Sequence, residues 1–357
     1  DGVFSRKLSR RFLIGIIMAD NRVFYACQAV YLDGIFLKNV QSVGLDYSNS
    51  NESTVDKGRG SQSVNTNFVF FNKPEVTITI EKQLDISDDF TFGCSDGKLL
   101  TSTGVGSCGW DGGLKEYKIE MAYGKDDYTP GSQTENITMK YCLLSEVSYN
   151  LSADGAFQES LTFITNNIIR EGGSAGTLSS GGQTGSLIRR ANFGAATLPI
   201  SSGKDEAKNF FISADETGDA ALLSFSVSVG FEYAEIADRG RWKGADQGNN
   251  PSSQNYWKYV TPPISVSCDV TAVVTRSIQR EILIRDSNLA ATASYPVPDR
   301  EVNFDLGEYS GGSYDKKIDL GSKNLCTGIS FSGGDTGGGN VEATINYENL
   351  ENYLKII

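Results

Sequence analysis

The sequence predicts a mainly β protein, built as two tandem β-sandwich or partial-barrel domains with few short helices. Three observations lead to this fold class: apolar and polar residues alternate in several segments, glycine is abundant, and sequence blocks recur in the two halves of the chain. Glycine accounts for 39 of 357 residues, about 11% against an average usage of about 7%. Because glycine favours turns, this composition suits many short connections between strands.

Alternation marks the predicted strands. In residues 223–233 and 264–272 every second residue is apolar, and the residues between them are serine, threonine, glycine or acidic. Shorter runs of the same kind lie at 76–80 and 341–347. Successive side chains of a strand point to opposite faces, so each run predicts one core face and one solvated face, as in antiparallel sheets. The best helical candidate is short, residues 205–211.

A Gly/Ser-rich stretch at residues 171–186 divides the chain near its middle and prompts a search for a repeat. Blocks recur in the same order on its two sides, while their spacing varies, as expected when strands are kept and loops accept insertions. The paired blocks are 42–47 with 228–233, 56–59 with 238–241, the strand after Pro74 with the strand after Pro263, and 144–164 with 326–347. They indicate an internal duplication.

The repeat and the composition divide the chain into four parts. Residues 1–17 form a basic N-terminal arm or leader, and residues 18–170 form the first domain. Residues 171–219 are a Gly/Ser-rich connector with the short helix, and residues 220–357 form the second domain. The apolar run after the first basic residues is a marginal signal-peptide core and is too short to span a bilayer.

Charge and composition exclude several classes of function. The chain has 32 Lys and Arg against 44 Asp and Glu, a net charge of −12, and it contains no histidine. This composition excludes Ser-His-Asp catalysis and histidine-ligated zinc, and it disfavours general nucleic-acid binding. The six cysteines include no Cys-x-x-Cys pair. They are predicted to be mostly buried and reduced, with a disulfide between Cys94 and Cys108 left open.

Several glycine-rich motifs match functional patterns but lack the required context. Residues 104–109 read G-x-G-x-x-G, but the Trp-Asp-Gly-Gly that follows opens a helix poorly. Residues 172–176 match a nucleophile elbow without a histidine base, and residues 93–98 are one residue short of a P-loop. Residues 332–340 form a single glycine-rich segment that is better explained as a loop than as a calcium site. We expect no catalytic residue, metal or cofactor, and no enzyme activity.

A series of motifs, taken in order, resembles the phage tail tube (major tail) proteins. They are MADNRVFYACQ at 18–28, VQSVG at 40–44, the Gly-Arg loop at 58–59, PEVTITIE at 74–81, LSEVSY at 144–149 with Asp154-Gly155, and IDLGSKN at 318–324 leading to GGGN at 337–340. The resemblance touches both halves. It does not extend to residues 1–17, 94–113 or 171–219.

The resemblance implies a tail-tube-like virion protein whose β-sandwich subunits join edge to edge into rings. Stacked rings would form the tail tube that conducts DNA during ejection, after synthesis in the host cytoplasm. The partner would be the chain itself, as a ring of three chains with pseudo-sixfold symmetry or as a ring of six. Tail sheath, tape measure or baseplate proteins would be further partners. DNA would pass without specific binding, and no membrane would be involved.

Two loops are the candidate contacts between rings. Their candidate inter-subunit residues are Asp56, Gly58 and Arg59 in the first half and Asp238, Gly240 and Arg241 in the second. Two other functions stay open: another virion β-sandwich protein, such as a capsid decoration or tail terminator protein, and a secreted β-sandwich adhesin. The tube hypothesis predicts rings and filaments that depend on concentration, whereas an adhesin predicts monomers or a sugar-binding site.

Overall fold

The structure is a computed structural model that describes residues 28–48, 51–56, 65–71, 75–85, 90–92, 116–124, 133–152, 155–171, 193–198, 208–210, 220–237, 256–274, 301–306, 316–333, 341–351 and 354–356. All regular elements in these ranges are β-strands, and they pair antiparallel. The predicted mainly β fold is confirmed. Among these residues, no helix has the length and hydropathy needed to cross a membrane.

The first ten strands form two layers that share one long strand, together with a separate two-stranded sheet of the fourth and fifth strands. They are β1 (Gln28–Leu32), β2 (Ile35–Phe36), β3 (Val40–Ser48), β4 (Asn51–Asp56), β5 (Asn65–Phe71), β6 (Glu75–Gln83), β7 (Tyr117–Gly124), β8 (Gln133–Leu151), β9 (Gln158–Thr165) and β10 (Ile169–Glu171). One layer has the order β2-β1-β7-β8-β10 and the other β3-β6-β9-β8. Strand β8 passes from one layer to the other near Tyr141, which has a positive φ of 58°. We call β1–β10 the first unit.

The remaining nine strands form the second unit. They are β11 (Phe193–Leu198), β12 (Lys208–Phe210), β13 (Ala220–Ala237), β14 (Tyr256–Val274), β15 (Asn303–Leu306), β16 (Lys316–Asp319), β17 (Asn324–Gly333), β18 (Val341–Asn349) and β19 (Lys355–Ile356). One layer has the order β12-β11-β15-β16-β19, and β13-β14-β18-β17 pair in the other. Both layers of the second unit therefore repeat the strand order of the first unit.

Strands β8 and β13 join the two units into one ladder of eight strands. The order of this eight-stranded ladder is β3-β6-β9-β8-β13-β14-β18-β17. Its apolar face packs in one continuous core with residues of both five-stranded layers. Phe225 of β13 stacks on Phe304 of β15 at a centroid distance of 4.1 Å and also meets Phe157 of the first unit. The core therefore continues across the boundary between the units.

Burial confirms most of the predicted alternation. The apolar positions of β14 from Ile264 to Ala272 are all buried, and the positions between them are half-buried or exposed. Leu223 is an exception, because it was predicted to face the core and is only half-buried, whereas Leu222 is buried. A bulge between Leu222 and Ser224 opposite β14 adds one residue and reverses the facing at this point.

The prediction of a short helix at residues 205–211 is wrong for residues 208–210, the part of this segment that the structure describes. Residues 208–210 are strand β12, which pairs with Ala196, Thr197 and Leu198 of β11. A segment this short follows the hydrogen-bonding partner that the tertiary fold supplies, and not its own weak helical spacing. The segment 171–219, predicted as a connector, thus contributes β11 and β12 to the second five-stranded layer.

Candidate functional site

The predicted ring-contact residues belong to corresponding hairpins of the two units. Asp56 is the last residue of β4, where it pairs through its backbone with Asn65 of β5. Gly58 and Arg59 belong to the connection from β4 to β5, outside the described residues. Asp238, Gly240 and Arg241 belong to the connection from β13 to β14, also outside them. The role of these six residues remains a prediction.

The described residues contain no group of three or more potential metal ligands. Cys142 and Cys268 are buried and reduced, and Cys326 is half-buried and reduced. Burial raises the pKa of the Cys142 thiol to about 12 and also raises the pKa of Cys268, so neither thiol is an activated nucleophile. Cys94 and Cys108 lie outside the described residues.

A buried ion pair lies in the core of the first unit. Lys82 of β6 and Glu159 of β9 are directly opposite in the ladder, with 3.5 Å between Nζ and Oε2. The ammonium also donates to Thr91 Oγ1 at 2.9 Å, and the carboxylate accepts the backbone N–H groups of Thr91 and Phe92. These contacts fix segment 90–92 on the core of the first unit.

The internal junction is the pairing of β8 residues 146–151 with β13 residues 225–230, a run of six residue pairs. On its core face, Val147 and Tyr149 lie opposite Val229 and Val227, and all four are 0% exposed. On its polar face, Ser148 lies opposite Ser228, whose hydroxyl shares a hydrogen bond with Ser267 of β14. The junction is therefore packed like the interior of a single sheet.

The two terminal strands of the ladder, β3 and β17, each have one neighbouring strand in the described part of the chain, β6 and β18 respectively. Both carry exposed apolar side chains: Tyr47 of β3 is 53% exposed and Phe331 of β17 is 38% exposed. Neither strand contains a lysine, an arginine or a proline, which are common protections of sheet edges against pairing.

No protein-family model matches the chain, and no curated protein matches it at a significant level.

Each unit has two β-bulges at positions equivalent to those of the other unit, and the first of them lies in β3 and β13. In β3 a bulge between Val40 and Ser42 faces Lys82 and Glu81 of β6. In β13 the bulge between Leu222 and Ser224 faces Ala272 and Thr271 of β14. Bulges interrupt a ladder at a defined residue, so they fix which positions of the two units correspond. Val40 of β3 thus corresponds to Leu222 of β13.

The second bulge fixes the correspondence of the other pair of strands. It lies between Leu144 and Glu146 in β8, opposite β9, and between Cys326 and Gly328 in β17, opposite β18. Tyr149 therefore corresponds to Phe331. The sequence blocks predicted this equivalence of β8 with β17, since 144–149 was aligned with 326–331.

The sequence comparison paired residues 42–47 with residues 228–233, which is four residues away from the pairing that the structure gives. The block comparison set Val43 against Val229, whereas the bulges and the ladder set Val43 against Phe225. The shift is even, so it leaves each side chain on the same face of the sheet. Alternating sequences cannot distinguish such registers, which is why the hydrogen-bonded ladder is needed.

The polar face of the ladder is acidic. The charged side chains that the structure describes on this face of the ladder are all carboxylates, namely Asp46, Glu75, Glu81, Glu146, Glu232, Asp269, Glu342 and Glu348. No lysine or arginine with a described side chain lies on it; Lys82 faces the core. Serine, threonine and asparagine occupy most of the remaining positions, so this face repels phosphate.

Proposed function

We propose that this protein is a structural subunit of a phage tail tube, which assembles with copies of itself into rings that stack and conduct DNA. One observation carries the proposal: the terminal strands β17 and β3 correspond to β8 and β13, the two strands that already pair at the internal junction. One end of the ladder is therefore a counterpart of β8 and the other end is a counterpart of β13. The chain already contains β8 and β13 paired with each other.

A second copy completes the ladder if its β3 pairs with β17 of the first. This contact is heterologous, since it joins two different surfaces, and such contacts generate closed rings when the rotation between copies closes. Closure leaves no edge of the ladder exposed. It also buries the apolar side chains of β3 and β17, whose counterparts at the internal junction are buried.

Two units per chain favour a ring of three chains with pseudo-sixfold symmetry. The rival arrangement has six chains per ring, with one unit of each chain decorating the outside. Pairing of β8 with β13 argues against this rival, because it includes the four-stranded sheets of both units in one ladder. The matched strand orders and bulges support the duplication on which the count of three depends.

The acidic polar face suits the wall of a DNA conduit. A ring closed through the ladder has two surfaces, and the five-stranded layers cover the apolar one. The polar face then lines the lumen, where carboxylates and hydroxyl groups meet DNA. Tight binding of DNA requires cations that neutralise phosphates, and the described part of this face has none. DNA would therefore slide past this wall without adhering.

Electron microscopy of the purified full chain at rising concentration tests the proposal. We expect rings and then tubes, and the variant Phe331→Lys should shift ring formation to at least about tenfold higher concentration, since about 1.4 kcal/mol of lost burial is a tenfold effect. Ile35→Lys is the matched control, because Ile35 is also 38% exposed but lies in β2, away from the ladder. Monomers at all concentrations, or rings unaffected by Phe331→Lys, would contradict the proposal.

A further inference from the structure

We propose that β17 of one copy pairs antiparallel with β3 of the next copy in one defined register, with Ser330 opposite Asp46. This inference rests on the proposed ring assembly and specifies which atoms make it. In this register Phe331 lies opposite Leu45, and Ile329 lies opposite Tyr47. The occupant of each terminal strand is thus a second copy of the same chain.

The register follows from the internal junction. There, Tyr149 pairs with Val227 and Ser148 with Ser228. The β8 bulge makes Tyr149 the counterpart of Phe331, and the β13 bulge makes Val227 the counterpart of Leu45. Replacing each strand by its counterpart turns the first pair into Phe331 opposite Leu45.

The lengths of the regular segments narrow the choice of register. Beyond its bulge, β17 continues for six residues from Gly328 to its end at Gly333, and β3 continues for seven residues beyond its own bulge, from Ser42 to its end at Ser48. The β17 segment has as many residues as there are pairs at the internal junction. Pairing Gly328 with Ser48 and Gly333 with Val43 uses all six. The other register that does so is slipped by one residue, which places the side chains on the wrong face.

The chemistry of the facing residues agrees with this register. On the core face, Phe331 and Ile329 meet Leu45 and Tyr47, so apolar side chains that are half-buried or exposed in one chain cover each other. On the polar face, the Ser330 hydroxyl lies where it can donate to the Asp46 carboxylate. A slip of one residue would place the apolar side chains of one strand on the polar face of the other.

Disulfide trapping tests the register directly. The double variant Asp46→Cys with Ser330→Cys should link neighbouring chains on mild oxidation, because directly opposite residues have Cα atoms about 4.5–5.5 Å apart, within disulfide range. The displaced variant Ser42→Cys with Ser330→Cys is the matched control, with its cysteines about 14 Å out of register along the strand. The two sites of one chain are about 34 Å apart across the ladder, so a link reports contact between chains.

We expect the Asp46/Ser330 pair to give crosslinked species of two and three chains, and the control pair to give only background crosslinking. Peptide mass spectrometry separates the designed link from links made by native cysteines. Links through the control pair, or rings in which neither pair links, would overturn the register while leaving ring assembly standing. Absence of rings from the unmodified chain would overturn both. If the first double variant fails to assemble, the pair Gly44→Cys with Ser332→Cys tests the same register, and its failure to link in rings also counts against it.

Discussion

The two units have the same strand order, yet at one equivalent pair of buried ladder positions the first unit has two charged residues and the second unit has two alanines. In the first unit Lys82 and Glu159 form a buried ion pair. The bulges and ladder place Ala272 and Ala343 at the corresponding positions of the second unit, where they also pair directly and are buried. Because two alanine side chains occupy the equivalent positions of the second unit, pairing of these strands does not require charged side chains.

The difference between the units is explained by segment 90–92. Thr91 and Phe92 bind the carboxylate of Glu159 through their backbone N–H groups, and the Tyr149 hydroxyl donates to the carbonyl of Phe92 at 2.8 Å. Phe90 and Phe92 are buried and make ring contacts with Tyr149 and Tyr117. The ion pair therefore anchors an irregular segment over the core of the first unit.

The largest expected effect comes from breaking this anchor on one side. Glu159→Ala should lower the free energy of unfolding by about 3–5 kcal/mol, because it leaves the Lys82 ammonium buried without its counter-charge. Urea denaturation measures the change. Glu81→Ala on the same ladder is the control, since Glu81 is exposed and its loss should cost under about 0.5 kcal/mol. A loss of less than 1 kcal/mol for Glu159→Ala, by the same estimate, would refute the anchoring role.

The double variant Lys82→Ala with Glu159→Ala sharpens the comparison, because it copies the second unit. It removes the unpaired ammonium, so it should be more stable than Glu159→Ala alone, although the N–H groups of Thr91 and Phe92 lose their acceptor. Denaturation curves of the two variants decide this. A double variant less stable than the single one would mean that the lysine stem packs segment 90–92 by itself.

A smaller effect is expected from removing one hydrogen bond in the same place. Tyr149→Phe deletes the hydrogen bond from the Tyr149 hydroxyl to the Phe92 carbonyl, which should cost about 0.5–1.5 kcal/mol. Tyr233→Phe is the control. The Tyr233 hydroxyl also donates to a backbone carbonyl, Leu144 O at 2.6 Å, but it does so across the ladder in a half-buried site. We expect Tyr149→Phe to expose segment 90–92 to hydrogen exchange and Tyr233→Phe to leave it protected. Equal protection in both would contradict this assignment.

The hairpins that carry the predicted ring contacts offer a test between the units. Charge reversal by Arg59→Glu or Arg241→Glu should impair stacking of rings into tubes without preventing the rings, and the double reversal should impair it further. Individual exposed ion pairs contribute about 0–1 kcal/mol, but the proposed ring of three chains would multiply each change. Tube length in micrographs measures the effect. Tubes of normal length from the double variant would remove these residues from the interface.

At neutral pH the smallest expected effect comes from Cys142, because its pH dependence is confined to alkaline solution. Burial raises the pKa of this thiol from 9.0 to about 12 in the folded chain. The unfolded chain therefore loses the proton first as pH rises, so stability falls between about pH 9 and about pH 12. Cys142→Ala should make this fall shallower in thermal melts across that range. An unchanged slope would show that Cys142 does not contribute to it.

Much of the fold could be predicted because burial and alternation coincide, as in β14, where Ile264 to Ala272 follow the pattern at every position. Where a bulge intervenes, as at Leu223, the local pattern gives the wrong face. The hairpin of β1 and β2 also had a usable signal, since Asp33 and Gly34 both adopt positive φ, as an Asp-Gly turn favours.

The candidate site was harder to predict, because an edge is a property of topology. Val43, Leu45 and Tyr47 alternate like the residues of an interior strand, and nothing local distinguishes them from Val227 and Val229. Only the strand order places β3 at one end of the ladder and β17 at the other. The recurring sequence blocks predicted which strands correspond, but the bulges were needed to resolve a four-residue ambiguity in the first block.

A cryo-electron microscopy reconstruction of the assembled ring tests the central claim most directly. The account predicts three chains per ring, six similar lobes, and a continuous ladder in which β17 of each chain hydrogen-bonds to β3 of the next, with Ser330 opposite Asp46. A ring whose chains meet through other surfaces, with β3 and β17 both facing solvent, would contradict it.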